Sequence, residues 1–365
     1  MAVYVIMIVL SPLFVYMAER IAPKAHPNTR YNVSYQRLLR VIFYFTALMI
    51  PVFISGFRYG IGVDWHSYVE IFRWVNQGIN THMEVGFEFL VRVIGFFDPN
   101  PLYVFAFVGF MCVFPVLIAI KSHSKNPALS FFIYLTLGYY FSSFNIIRTY
   151  MAVAICFWAF RYLKRGNLPV YFAFVIFASL FHVSALIMMP FAFVLRLRLK
   201  LSYYVMIAAA CLALTLLRNP VLDFMAQNFG GRWSFYRDLF YWGSGLSVYN
   251  ILMSGLITLG CLAYYKRISE KQGGIVLINT AVYTLVMHLT ISIWANVFLS
   301  RILVFLTIYH VLTIPEIISC ENKESVRLVY NIGIFVVCIA MFLMHTLLLG
   351  EANRIFPYQS IFDRA

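Results

Sequence analysis

The residues able to do chemistry in this sequence sit where apolar stretches stop or start. The stretch Phe57–Glu88 carries Arg58, Asp64, His66, Tyr68, Glu70, Arg73, Glu84 and Glu88, in a chain of which only 12% is charged. Arg148 lies in FSSFNIIRTYMA, His182 in LFHVSAL and Arg301 in ANVFLSRILVF. A further stretch, 218–248, mixes Arg218, Arg232 and Arg237 with Trp233, Phe235, Tyr236, Tyr241 and Trp242. Guanidinium groups bind phosphate through paired, charge-assisted hydrogen bonds and keep their charge at any relevant pH. Arg58, Arg148, Arg232 and Arg301 therefore read as binders of a lipid-linked phosphate or pyrophosphate. His182, Asp64 and Glu84 are candidate proton acceptors for a transfer reaction. Tyr68, Trp233 and Tyr236 offer aromatic faces to sugars. The first stretch has no DxD and no paired acids, so no metal is expected to hold the phosphate. No G-x-x-x-x-G-K-[ST] is present, so neither a nucleotide nor any other cofactor is expected.

The elements that must position these groups are membrane helices. Hydrophobic residues make up 62% of the 365, and apolar runs recur along the whole length; such a chain reads as polytopic and all-α. The first run, Ala2 to Met17, has basic residues after it and none before. That order is opposite to a cleavable signal, so a retained first helix with its N-terminus outside is expected. Eleven more spans are expected near 38–55, 101–120, 128–143, 147–162, 168–181, 183–196, 203–217, 249–265, 274–294, 299–318 and 328–347. Alternate loops assigned to the cytoplasm hold all eight lysines and ten of the twenty arginines, whereas the opposite side holds ten arginines and no lysine. The lysines obey the positive-inside rule; the outer arginines need another reason. One transmembrane domain is expected, with outer segments 56–100 and 218–248 and an amphipathic helix over 86–97. The formal charge of +14 is spread over short loops, which favours membrane topology over nucleic acid. None of the six cysteines falls in an outer loop, so no disulfide is expected.

Each of these groups also has a bland reading. Arg148 and Arg301 can snorkel to headgroups. His182 can be a packing residue between spans, Asp64 can cap a helix beginning at Trp65, and the aromatics of 233–242 can form an interfacial belt. What favours chemistry is the set: four arginines on one side where lysine would serve topology equally well.

The ordered segments GFRYGIGVDWHSY, EVGFEFL, IIRTYMAVA, FHVSALI, SRILVFL and PYQSIF together resemble the EpsG-like, Wzy-type polysaccharide polymerases over nearly the whole chain. Trp65 and Thr149 stand where that family commonly has Tyr and Gln. The resemblance implies a GT-C-like glycosyltransferase at the periplasmic face of a bacterial inner membrane. Such an enzyme moves a growing glycan from one undecaprenyl pyrophosphate onto a second lipid-linked repeat unit of O-antigen, capsule or exopolysaccharide. Arg58, Asp64, Arg148, His182 and Arg301 match the family's motifs; Arg232 rests on the arginine argument alone, and Arg73 and Arg354 match nothing. Expected partners are the lipid-linked oligosaccharides, membrane lipid, a flippase and a chain-length regulator. The competing readings are a flippase or transporter of lipid-linked sugars, which would place ionisable groups through the midplane, and an O-antigen ligase.

Overall fold

A computed structural model describes residues 1–21, 30–216, 248–294, 297–350 and 353–364, together with Phe224 and Gln227. The described residues are helical, with no strand among them beyond one isolated bridge between Arg58 and Ser360. They gather into two compact units, the first formed by 1–161, 169–186 and 321–365, the second by 162–168 and 187–320. Five described helices are long and apolar enough to cross a membrane, and five shorter apolar ones accompany them.

In the first unit, α1 (Ala2–Arg20) and α2 (Arg30–Gly56) form an antiparallel pair. The pair is tied near the start of α2 by Glu19, which accepts from Arg40 at 2.5 Å and from the Tyr44 hydroxyl at 2.7 Å. The amphipathic helices α3 (Trp65–Asn76) and α4 (Val85–Phe97) follow, then the long α5 (Pro101–His123). Asn100 caps α5 by accepting from the Leu102 amide, and Pro101 fills the first position, where no N–H is missed. α5 packs against α2 and against α8 (Ile147–Trp158).

The apolar run 128–143 is not one helix. α6 (Pro127–Thr136) ends before Gly138, whose φ of 90° turns the chain into the single turn α7 (Tyr139–Ser142). α9 (Phe160–Arg165) and α10 (Leu168–Ser179) lead to a 3-10 turn, Val183–Ile187.

The second unit comprises α11 (Met188–Val194), α12 (Leu201–Leu216), α13 (Val248–Ala263), α14 (Tyr265–Ser269), α15 (Gly274–Trp294), α16 (Val297–Thr307) and α17 (His310–Ser319). Its buried polar knot is Asn279 of α15. The Asn279 amide donates to the carbonyls of Leu195 (2.8 Å) and Leu197 (2.9 Å) and its oxygen accepts from Tyr204, which satisfies backbone groups left over at the end of α11. The first unit is completed by α18 (Glu324–Leu343) and a tail that returns to residues 57–62.

Candidate active site

Glu84, Arg148 and His182 come from three separate segments and meet in the first unit. The Glu84 carboxylate accepts from an Arg148 terminal nitrogen on one oxygen and bonds His182 Nδ1 at 2.7 Å on the other. The Val183 amide approaches the same oxygen at 3.4 Å. All three side chains are mostly buried, with 17%, 21% and 10% exposure. Burial alone would raise the pKa of Glu84, but the His182 hydrogen bond and the Arg148 charge outweigh it and hold the carboxyl at about 2. An ionised carboxylate can only accept, so His182 Nδ1 carries the proton and donates it to Glu84.

Two glycines permit this meeting. Glu84 is the N-cap of α4, and Gly86 in its first turn donates its amide to the Leu180 carbonyl at 2.9 Å. A Cβ on Gly86 would stand 2.7 Å from Leu180 Cβ and 2.8 Å from that carbonyl oxygen, so only glycine lets α4 lie against the turn that carries His182. On the other side, Gly62 (φ 100°) packs its backbone on the Phe144 carbonyl, and the Val63 amide donates to Asn145 Oδ1 at 2.7 Å. That contact fixes the loop before α3 against the start of α8, three residues before Arg148.

Tyr68 of α3 is buried, and its hydroxyl meets both the side chain and the backbone amide of Arg148; burial raises its pKa against that charge. The Arg148 guanidinium also lies 6.0 Å from the Phe87 ring. Asp64 stands at the N-cap of α3 and makes no side-chain capping bond, although its carbonyl accepts from the Tyr68 amide. Its charge is felt by Tyr68, which places it beside the cluster and not within it.

Arg58 sits apart. It is only 2% exposed, with its guanidinium 4.2 Å from the Phe144 ring and 5.0 Å from that of Phe105. Burial lowers its pKa to about 10, so it remains charged at neutral pH. The Phe105 ring beside Arg58 and the Phe87 ring beside Arg148 both contact Phe72, at 5.2 and 6.2 Å between ring centres. The tail pairs alongside: Tyr59 donates to the Gln359 carbonyl, the Ile361 amide donates to the Phe57 carbonyl, and the Tyr358 hydroxyl reaches the Ile54 carbonyl.

Arg301 lies in α16 of the second unit, half-buried. Arg232, Trp233 and Tyr236, and nearly all of 218–248, lie outside the described residues. Among the described residues no group of His, Cys, Asp and Glu is arranged to hold a metal ion. Sequence reasoning singled out Glu84, Arg148 and His182 by type but missed Gly86 and Asn145, whose parts depend on contacts across the fold. Their only sequence signal was their place inside EVGFEFL and beside IIRTYMA.

No curated protein and no solved structure matches the chain. The family described as the EpsG family does match, over residues 41–360. That range takes in Glu84, Arg148 and His182 and most of both units. The chain belongs to the EpsG family, membrane proteins of polysaccharide biosynthesis.

Proposed function

We propose that this protein is a Wzy-type polymerase of GT-C-like architecture. It joins undecaprenyl-pyrophosphate-linked oligosaccharide repeats at the periplasmic face of the bacterial inner membrane, with twelve spans and without a metal. The observation that carries the reading is the Glu84–His182 pair. Glu84 orients the imidazole and holds the proton on Nδ1, which leaves Nε2 to take the proton from the acceptor hydroxyl. Glu84 itself, held at about 2, is too weakly basic for that role and acts as the positioning residue. As the hydroxyl attacks the anomeric carbon, the bond to the donor pyrophosphate breaks and the charge on the leaving group grows. Arg148 and Arg301, with Arg232, stabilise that charge. Attack opposite the leaving group inverts the anomeric centre. Tyr68 and the aromatics Trp233 and Tyr236 contact sugars.

Deleting the gene and separating the surface polysaccharide on a gel tests the reading. A polymerase leaves a single repeat unit on its acceptor and no long chains. Loss of the single unit as well points to a flippase, and polymer left on its lipid carrier points to a ligase. In the deleted strain, His182→Ala fails to restore long chains. Arg148→Lys fails nearly as badly as Arg148→Ala, because a point charge lacks the planar fork. The expected loss is about 30- to 1000-fold in rate for a contact made in the transition state, read in strains with equal protein levels.

A further inference from the structure

A cavity of about 420 Å³ opens in the first unit beside Arg58 and Phe105. Its size is that of a small-ligand site, which typically spans roughly 300–1,000 Å³. The start of α3, the capped end of α5 and Ile361 of the tail wall it.

Its polar lining sets the donors of Arg58, Trp65 and Arg73 beside the Glu70 carboxylate and the Asn100 side chain. Arg58, 2% exposed, gives its Nε and one terminal nitrogen to no acceptor. Trp65, 7% exposed, gives its indole N–H to none. Buried donors without acceptors are costly, and the two residues that carry them both line this cavity, which favours an acceptor-rich occupant. Arg73 stands at the mouth with its Nη1 on Glu70 at 2.8 Å, so the lining sets two guanidinium charges against one carboxylate. His66 completes the mouth, and the N-terminal turn of α5, at Asn100–Leu102, adds the positive end of a helix.

The polymerase reading requires two lipid-linked substrates at once, a donor and an acceptor, each with its own diphosphate. We propose that this cavity holds the diphosphate of the acceptor lipid, apart from the donor's at Arg148; this rests on the function proposed above. Arg73, which no sequence motif marked, becomes part of the binding machinery.

The test is calorimetric titration of inorganic pyrophosphate into the purified full chain in phosphatidylcholine nanodiscs. Arg73→Gln and Trp65→Phe, one exposed and one keeping a ring, are each expected to weaken by at least about tenfold a binding step that Arg148→Lys leaves in place. No binding step, or one indifferent to both substitutions, overturns the proposal. Repeating the titration in nanodiscs containing phosphatidylglycerol separates the two phosphate sources. Retention of the pyrophosphate step supports a diphosphate site, and its abolition assigns the cavity to a phospholipid headgroup and overturns the diphosphate assignment. These readouts do not depend on polymer formation, so failure here and failure of the polymerase reading are told apart.

Discussion

Glu84 shows how one side chain can be read from its neighbours. Its folded pKa of about 2 lies below the ordinary 4.5, so the stability it contributes is complete above about 4.5 and is lost as pH falls through about 2. Glu84→Gln keeps the shape and removes the charge. The expected cost at neutral pH is roughly 1.5–3 kcal/mol, the worth of a hydrogen bond involving charged partners. The check is thermal unfolding of both forms in detergent across that pH window. The wild-type advantage should shrink as the acid range is entered, and an advantage that stays constant down to the lowest pH would separate Glu84 from Arg148 and His182. The residue types of this cluster were legible in the sequence only as a set, because Arg148 and His182 taken singly could equally snorkel or pack at the edges of apolar runs. Which one orients and which one accepts was not legible. That depends on Glu84 lying between two donors, a fact of three-dimensional proximity.

At the scale of elements, the fit of α4 against the Leu180–His182 turn is the feature most open to test. Alanine is the better helix former by about 1 kcal/mol, yet Gly86→Ala would drive a methyl into Leu180. The expected result is loss of long-chain polysaccharide with the protein still inserted. Gly333→Ala in α18, where a Cβ meets nothing within 4 Å, should be tolerated or mildly stabilising. Full-length polymer from Gly86→Ala would mean that the close approach does not set the site. The same contrast explains what the sequence hid. Apolar runs revealed that helices exist and roughly where, as α1, α2 and α5 show, but a run that is apolar all round carries no phase. The break at Gly138 inside 128–143, and the division of 299–318 into α16 and α17, were therefore invisible. Close approaches at Gly62 and Gly86 look in sequence like any glycine in a loop or helix.

For the molecule as a whole, charge asymmetry predicts a sidedness that α5 can report. α5 is one of the five long apolar helices, with 56–100 before it and 121–127 after it. Cysteines placed singly at Gln77 and Ser122, both exposed, in a background lacking the native cysteines, should react differently with an impermeant thiol reagent in intact cells. Gln77→Cys is expected to label from outside and Ser122→Cys only after lysis. The reverse pattern would invert the topology and move Glu84, Arg148 and His182 to the cytoplasmic face.

The return of the tail to the Arg58 loop has a consequence for how the chain is made. Tyr358 bonds the Ile54 carbonyl across 304 positions, and the Tyr4 hydroxyl reaches the Ile355 carbonyl across 351. During synthesis the loop around Arg58 is threaded and placed early, then waits while nearly all the remaining helices insert. Its buried guanidinium gains its last wall only when residues 354–361 leave the ribosome. The wall that the tail gives the cavity is therefore completed only when translation reaches that point, and a nascent protein stalled earlier in α18 would leave the charged loop around Arg58 uncovered.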